Sequence, residues 1–167
     1  MTRERYARMT GDTRRVVSWL PGGERTLLLP TLGCALIYAA LLLWLFLAGD
    51  ARLPRAILVP AACFLAATAL RRLIGKQRPY DRYGLPPVGK HVPGKGRSLP
   101  SRHAASAAAI ALAVLYASGS LAAKIIALVL ALVVGALRVL CGQHDTVDVA
   151  CAFLLSGGLS ALGYLVL

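Results

Sequence analysis

The sequence predicts an all-α protein, a polytopic bundle of about five transmembrane helices. Apolar residues make up 57% of its 167 residues, and the mean hydropathy is +0.66. Soluble domains contain roughly 45–50% apolar residues. The excess lies in blocks of about 20 residues, the length that a helix needs to cross the hydrocarbon core of a bilayer.

The first 26 residues differ from the rest because they are polar and basic. They contain six arginines, at positions 3, 5, 8, 14, 15 and 25. A charged stretch of this length argues against a signal peptide, and Trp19 is of the residue type that favours the membrane interface. We expect residues 1–26 to be a mobile basic tail at that interface and residues 27–167 to be the transmembrane domain.

Five apolar blocks then predict the helices of that domain. Their approximate bounds are Leu27–Ala48, Leu53–Leu70, Ala104–Ala123, Leu121–Leu140 and Val149–Leu167, with a turn near Ser118-Gly119-Ser120. The first block holds 22 uncharged residues, or about 33 Å of helix. Two spans separate the N-terminus from residues 71–103, and two more separate that loop from residues 141–148, so all three lie on one face of the membrane.

Residues 71–103 have a different character, with nine Lys or Arg, one Asp, and many prolines and glycines. A loop of this length inside a compact membrane domain is usually functional, and its prolines and glycines argue against a continuous helix. We interpret Lys90, His91, Lys95 and Arg97 as part of a solvated loop, with headgroup recognition as the alternative.

Three polar clusters on the shared face predict a site for a phosphate. Arg71, Arg78 and Arg138 outnumber the nearby carboxylates, and the planar fork of a guanidinium matches phosphate oxygens. His103 and His144 supply a proton donor and a nucleophile. Asp148 follows His144 by four residues, so on a helical turn the two side chains share a face.

Each cluster also has a structural explanation when it is taken alone. An Arg-Pro pair commonly marks a helix end, and Ser101 before an alanine-rich run is typical of a helix N-cap. The N-cap and phosphate interpretations are compatible, because helix N-termini bind anions. His144 and Asp148 alone are compatible with a structural hydrogen bond, and we expect the neighbouring Asp145 to cap its turn.

The ordered set resembles the motifs of the type-2 phosphatidic acid phosphatase family, which is related to vanadium haloperoxidases. That family's pattern is K-x6-R-P, then P-S-G-H, then S-R-x5-H-x3-D. The matching residues here are Arg78, Pro79, Pro100, Ser101, His103, Arg138, His144 and Asp148. Three positions depart from it: Arg71 replaces the Lys, Arg102 the Gly and Leu137 the Ser.

The resemblance implies hydrolysis of a phosphate monoester or diphosphate through a phosphohistidine, without a metal or cofactor. His144 would attack phosphorus, Asp148 would orient it, and His103 would protonate the leaving oxygen. The implied phosphate-binding residues are Arg71, Arg78, Ser101, Arg102 and Arg138. The expected partners are a lipid phosphate and the bilayer, with no nucleic acid, and the oligomeric state stays open.

The substrate and the orientation stay open at this stage. Undecaprenyl diphosphate, phosphatidylglycerophosphate and phosphatidate are candidates, in a multi-pass protein of a bacterial inner membrane. The excess of arginines in the tail favours a cytoplasmic active face, whereas six-span relatives commonly face outward. Alternative functions are a non-catalytic lipid-phosphate binder or transporter with a degenerate site, and a haloperoxidase.

Overall fold

The computed structural model describes residues 1–89 and 97–166, with the backbone alone at residue 166. Lys90, His91 and Lys95 therefore lie outside the described residues, and Arg97 is exposed. The described ranges contain seven α-helices: α1 (Arg3–Trp19), α2 (Leu29–Leu47), α3 (Leu53–Ile74), α4 (Pro79–Tyr83), α5 (Arg102–Ala117), α6 (Leu121–Leu140) and α7 (Thr146–Ala161). A 3-10 turn (Gly23–Leu28) precedes α2, and a π turn (Leu162–Val166) follows α7.

Four helical segments are long and apolar enough to cross a membrane, which confirms the fold class. They are Gly23–Leu47, Leu53–Tyr83, Leu121–Leu140 and Thr146–Leu165. The third predicted span, Ala104–Ala123, is shorter than expected: α5 has 16 residues, and Ser118 caps its end. Its length corresponds to about 24 Å of helix. The chain is an integral membrane protein.

Helix α5 lies at the centre of the bundle and packs against α2, α3, α6 and α7. Its inward-facing residues are mostly alanines, which are buried along the whole helix. Small side chains let neighbouring helices approach closely, which is how membrane helices commonly pack. The N-terminus of α5 consequently meets the ends of α3, α6 and α7, and this junction holds the candidate site.

The N-terminal segment is a folded helix, which corrects the prediction of a mobile tail. Helix α1 begins after Thr2, whose hydroxyl accepts a hydrogen bond from the Arg5 amide at 3.3 Å. Tyr6, Thr10 and Val17 are buried, and their spacing places them on one helical face. The many arginines make the composition of the segment polar, and composition alone does not reveal this short stripe of buried residues. The position of residues 1–26 at the membrane interface stays a prediction.

Helix α1 packs on the side of the bundle that carries the polar clusters. The Tyr6 hydroxyl donates to the Gly142 carbonyl at 3.2 Å, and Thr13 donates to the Leu140 carbonyl at 3.1 Å. Arg14 donates to the Pro87 carbonyl at 3.4 Å. The N-terminal helix, the loop after α4 and the turn between α6 and α7 thus share one side, as the order of the apolar blocks predicts.

Candidate active site

His144 lies in the tight turn that joins α6 to α7. Helix α6 ends at Leu140, and Gly142 then adopts φ +71°, in the left-handed region that favours glycine. The His144 amide donates back to the Arg138 carbonyl at 3.0 Å, and the Val88 amide donates to the Cys141 carbonyl at 2.9 Å. His144 therefore precedes α7 instead of lying on a helical turn with Asp148, but the fixed turn still brings the two side chains together.

His144 is held through its Nδ1 atom by two buried neighbours. Nδ1 lies 3.4 Å from Asp148 Oδ2 and 3.3 Å from Ser98 Oγ. The single hydroxyl proton of Ser98 is donated to the Asp148 carboxylate, so Ser98 accepts from Nδ1–H. This arrangement fixes the proton on Nδ1 and leaves Nε2 with its lone pair. All three side chains are almost fully buried, with 2% exposure for His144.

Lys76 reinforces this arrangement and was not assigned a role from the sequence. Its ammonium group lies 2.6 Å from Asp148 Oδ1 and 2.9 Å from Asp145 Oδ2. Asp145 is the N-cap of α7, forms a capping box with Asp148, and also pairs with Arg82 at 2.6 Å. The capping role expected for Asp145 is confirmed. The Asp148 carboxylate is surrounded by donors and is thereby held ionised and in place.

Backbone hydrogen bonds connect the three polar clusters directly. The Ser98 amide donates to the Lys76 carbonyl at 2.8 Å, which joins the second cluster to the first. The Ser101 amide donates to the Asp148 carbonyl at 3.0 Å, which joins the second cluster to the third. These two hydrogen bonds bring segments that are distant in the chain together into one surface at the end of the bundle.

Three arginines face this surface without carboxylate partners among residues 1–89 and 97–166. Arg71 is 6% exposed and makes no ion pair there. Arg78 donates to the Tyr80 hydroxyl at 2.9 Å, and Arg138 donates to Gln143 at 2.7 Å. The Nε atoms of Arg78 and Arg138 are buried without a hydrogen-bond partner. Buried donors of this kind indicate that an anion completes the site.

Ser101, Arg102 and His103 form the start of α5. Ser101 is the N-cap residue, as predicted, but its side chain makes no capping hydrogen bond. Its Oγ atom is buried and has no partner within the described ranges. Arg102 and His103 are exposed on the first turn. The N-terminus of α5 thus carries a buried hydroxyl without a partner in the described ranges, followed by an exposed guanidinium and an exposed imidazole.

Electrostatic contacts show that the two histidines belong to one cluster. Partial burial lowers the pKa of the His103 imidazole to about 4, and the positive charges of Arg138, His144 and Arg102 act in the same direction. The charges of Arg78, Arg102 and Asp148 act on Arg71. The eight residues predicted for the site are therefore gathered at one end of the bundle, and their chemical roles stay predictions.

The buried setting of His144 has a direct consequence for its protonation. Burial lowers the pKa of the His144 imidazole, and the positive charges of Arg78 and Arg71 act in the same direction. The contact with Asp148 acts in the opposite direction without cancelling the effect. A lowered pKa keeps the ring neutral near pH 7, which is the form able to act as a nucleophile.

A cavity of about 340 Å³ adjoins His103 and Arg102. Helices α2, α3, α5 and α6 line it, and its walls are mostly apolar, with Phe64, Ile110 and Val134 among them. Pockets for small molecules commonly measure roughly 300–1,000 Å³. The site thus has a cationic end toward His144 and an apolar end that runs between the helices.

Residues 52–167 match the family model described as the PAP2 superfamily. The chain belongs to this superfamily. Among solved structures, LpxE from Aquifex aeolicus has a TM-score of 0.71 with 22% identity, covering 96% of this chain and 92% of that one. The PAP2-type phosphatidylglycerolphosphate phosphatase from Bacillus subtilis has a TM-score of 0.67 with 23% identity, covering 96% and 83%. No protein of curated function shows significant sequence similarity to the chain.

The three departures from the PAP2 motif pattern fit the structure without backbone strain. No non-glycine residue in the described ranges has a positive φ angle, so Arg102 replaces glycine at an ordinary helical position. Arg71 keeps a buried positive charge where the motif has lysine. Leu137 supplies no hydroxyl before Arg138, and the guanidinium of Arg138 is held by Gln143 and, at 3.5 Å, by Thr31.

The sequence did not predict a role at the site for Ser98 and Lys76, because their partners are distant in the chain. Ser98 lies two residues before the Pro100-Ser101 pair, and Lys76 lies inside the first cluster. A signal for Lys76 was present, since a lysine near the hydrocarbon region requires a partner. The structure shows which carboxylates of this face are the partners, since Lys76 pairs with Asp145 and Asp148. No comparable signal marks Ser98, because serine is common in loops.

Proposed function

We propose that the chain is a membrane-embedded phosphatase that hydrolyses a lipid phosphate or diphosphate through a phosphohistidine on His144. The observation that carries this proposal is the state of His144. It is buried, its Nδ1 is engaged by Asp148 and Ser98, and its Nε2 is free in a cluster of guanidiniums that have no carboxylate partners in the described part of the chain.

In the first step, His144 Nε2 attacks phosphorus while the bond from phosphorus to the bridging oxygen breaks. The bond electrons go to the leaving oxygen, and His103 gives it a proton. His103 is protonated in this step because the bound phosphate anion offsets the partial burial and positive charges that lower its pKa in the free protein. The ring of His144 becomes positively charged, and Asp148 stabilises that charge through Nδ1–H. Arg71, Arg78, Arg138 and the Ser101 hydroxyl hold the equatorial oxygens, where the charge of the transition state is spread.

In the second step, water attacks the phosphohistidine and the bond from phosphorus to Nε2 breaks. His103, now neutral, accepts a proton from that water, and inorganic phosphate leaves. The electrons of the broken bond return to His144, so both histidines regain their starting protonation states. One histidine is thus the nucleophile, and the other alternates between acid and base.

The proposed chemistry uses no metal, because fixed cations supply the positive charge. The donors around the site are guanidinium, ammonium, imidazole and hydroxyl groups. Within the part of the chain that the structure describes, no three side chains of His, Cys, Asp or Glu cluster as a metal site would require. Donors of this set suit a phosphate directly and suit a divalent cation poorly.

A lipid substrate is supported by the surroundings of the site. The site lies at the ends of membrane-spanning helices and continues into an apolar cavity. One structural neighbour is a phosphatidylglycerolphosphate phosphatase by its title. Phosphatidylglycerophosphate, undecaprenyl diphosphate and phosphatidate are the proposed candidates. A bacterial inner membrane with the active face toward the cytoplasm is the proposed location, and cysteine-accessibility labelling of residues 80–95 in intact cells tests that orientation.

The test is to trap the intermediate on His144. Wild-type protein incubated with a 32P-labelled lipid phosphate and quenched in base should carry an acid-labile label, and His144→Gln should carry none and release no phosphate. The matched control is His103→Gln, which retains the nucleophile and slows the first step. Orthovanadate, which mimics the transition state, should inhibit the wild type.

Full phosphate release by His144→Gln in a folded, monodisperse preparation would end the assignment. Binding of lipid phosphate with no turnover by the wild type would support the non-catalytic binder instead. Oxidation of halide by the vanadate-loaded protein would support the haloperoxidase.

A further inference from the structure

On the basis of the function proposed above, we propose that the leaving group of the substrate itself carries a phosphate, and that Arg102 binds this second phosphate. The substrate class is then a lipid diphosphate or a lipid whose headgroup contains a phosphodiester next to the terminal phosphate. Both share one feature, a negative charge that stays with the lipid after hydrolysis.

The number of cations at the site is the first support. A phosphoryl group in transfer presents three equatorial oxygens, and Arg71, Arg78, Arg138 and the unpaired Ser101 hydroxyl are sufficient to hold them. Arg102 adds a fourth guanidinium to this cluster. Within residues 1–89 and 97–166 it forms no ion pair and no hydrogen bond through its side chain. Because Arg102 is exposed, its guanidinium can bind a further anion without breaking an existing contact in the described part of the chain.

The position of Arg102 is the second support. Arg102 and His103 both line the apolar cavity, whereas Arg71, Arg78 and Arg138 do not. His103 is the proposed acid and must lie beside the leaving oxygen. The cavity is consequently on the leaving-group side of phosphorus, opposite the attacking Nε2 of His144. A guanidinium on that side contacts the leaving group and not the three oxygens of the transferred phosphoryl group.

The cavity beyond Arg102 gives the order of groups in the substrate. Phe64, Ile110 and Val134 line it, so the part of the leaving group that enters it is apolar. A ligand that satisfies the whole site has a terminal phosphate near His144, a second phosphate near Arg102, and a hydrocarbon chain in the cavity. Breaking the bridging bond of such a lipid diphosphate sends the bond electrons to an oxygen of a lipid monophosphate, whose charge Arg102 stabilises.

This arrangement depends on a residue that departs from the family pattern. The motif has glycine where Arg102 stands, and glycine offers no side chain to a leaving group. The first turn of α5 accepts the arginine without a positive φ angle. Arg102 is therefore a residue through which this chain can differ in specificity from relatives that share the other motif residues.

The experiment measures kcat/KM for four substrates with wild-type protein and Arg102→Gly. Two substrates have an anionic leaving group, a polyprenyl diphosphate and phosphatidylglycerophosphate. Two have a neutral one, the polyprenyl monophosphate of the same chain length and phosphatidate. Removing one positioned donor from a developing charge costs about 10²- to 10³-fold in kcat at a buried site. Because Arg102 is exposed, we expect a loss of at least about tenfold for the anionic pair and under about threefold for the neutral pair.

Two further variants separate this effect from damage to the fold. Arg102→Lys keeps the charge and should retain part of the preference for anionic leaving groups. Arg72→Ala removes an exposed arginine from the last turn of α3, at the end of the bundle that holds the site. It should leave all four kcat/KM values unchanged. If Arg102→Gly does not give folded protein, Arg102→Lys must still lower the ratio of diphosphate to monophosphate activity.

The outcomes are distinguishable from failure of the proposed function. Equal losses for all four substrates, or no preference in the wild type, would overturn the role of Arg102 while leaving the phosphatase assignment in place. A wild-type protein that hydrolyses none of them would overturn both. A loss restricted to the diphosphate would identify that source of the second phosphate, and a loss restricted to phosphatidylglycerophosphate would identify the phosphodiester.

Discussion

The two halves of the site are built in opposite ways. In the half around His144, the side chains of Asp148, Ser98 and Lys76 form a closed network of polar contacts. His144 and Asp148 are each 2% exposed or less. The half around His103 is open, because Arg102 and His103 are exposed at the start of α5 and border an apolar cavity. The attacking group is fixed, whereas the side that receives the leaving group has room for different ligands.

This difference has a physical reason. A nucleophile gains from a fixed tautomer and orientation, since these lower the entropic and reorganisation cost of reaching the transition state. A leaving group varies in shape between substrates and must also depart. We therefore expect substitutions in the closed half to affect every substrate equally, and substitutions in the open half to have effects that depend on the leaving group.

The largest effect is expected for Asp148→Asn. The amide is nearly isosteric but has no charge to stabilise the imidazolium of His144, and it disturbs the proton that Ser98 and Asp148 hold on Nδ1. The loss in kcat should be about 10³- to 10⁴-fold, as when a catalytic histidine is left in the wrong tautomer. The measurement is steady-state phosphate release with a lipid phosphate and with p-nitrophenyl phosphate.

The closed half predicts that both substrates lose the same factor. Ser98→Ala serves as the companion variant, because it removes one contact to Nδ1 and leaves the carboxylate in place, so its loss should be smaller. A loss for Asp148→Asn that differs by more than tenfold between the substrates would contradict the uniform behaviour assigned to this half.

His103→Ala is expected to have a smaller and substrate-dependent effect. An alkyl oxygen leaves poorly without a proton, so removing the acid should lower kcat/KM by about 10²- to 10⁴-fold for a lipid monoester. p-Nitrophenolate leaves without protonation, and with this substrate the loss in formation of the phosphohistidine should be much smaller. Burst-phase kinetics with p-nitrophenyl phosphate measures that first step separately.

If His103→Ala slowed the first step equally with both leaving groups, the expected dependence of the open half on the leaving group would be wrong. Such a result would assign His103 to phosphate binding and not to proton transfer. His103→Gln is the matched variant. Its amide can donate a hydrogen bond to the leaving oxygen but does not transfer a proton, so it should recover little of the lost activity.

The sequence predicted the site best where its parts are close together in the chain or follow a strong pattern. Arg138, His144 and Asp148 lie within eleven residues, and the turn that holds them is local. Four of the spans were predictable because long uncharged blocks have few other uses. The end of α5 was harder to predict, because alanines also follow the turn at Ser118 and do not indicate where the helix ends.

The contacts that fix the nucleophile could not be predicted from local patterns. Lys76 and Asp148 are 72 residues apart, and Ser98 and Asp148 are 50 apart. Pairings over such distances depend on how α3, α5 and α7 meet, and that is decided by the packing of small residues. Helix α1 was missed for a related reason, since Tyr6 and Val17 become a buried stripe only when the turn at Gly142 is present to cover them.

A moderate effect on stability is expected for Gly142→Ala in the closed half. A Cβ atom there would lie 2.5 Å from the Tyr6 hydroxyl oxygen and 2.7 Å from Thr10 Cγ2, and the φ of +71° adds strain for a residue with a side chain. Overpacking of this kind commonly costs about 1–3 kcal/mol. Thermal unfolding in detergent should show the loss, and kcat should fall because the turn carries His144.

The matched double variant isolates the contact with α1. In a Tyr6→Ala background, part of the clash is absent, so Gly142→Ala should cost less stability there than in the wild type. Gly157→Ala is the control, since nothing lies within 4 Å of a Cβ at that position. Equal losses of stability in both backgrounds would show that α1 does not pack tightly against the turn. Helix α1 would then not belong to the closed half of the site.

The smallest expected effect is a displacement of the pH profile. Burial and the charges of Arg78 and Arg71 lower the pKa of His144 below the ordinary value of about 6.5. The nucleophile must be neutral, so the acid limb of kcat/KM should fall at a pH below 6.5. The unfolded chain binds a proton at His144 near pH 6.5 and the folded chain does not, so stability is full above that pH and is lost as the pH falls toward the folded pKa.

Both quantities are measurable on one preparation, from kcat/KM and from the unfolding temperature between pH 4 and 8. Arg78→Gln removes one of the charges that lower the pKa, so its residual activity should show the acid limb at higher pH than the wild type. An acid limb at or above pH 6.5 in the wild type would mean that the Asp148 contact outweighs burial. The closed half would then hold the imidazolium instead of the neutral ring, and His144 would be poorly suited to attack.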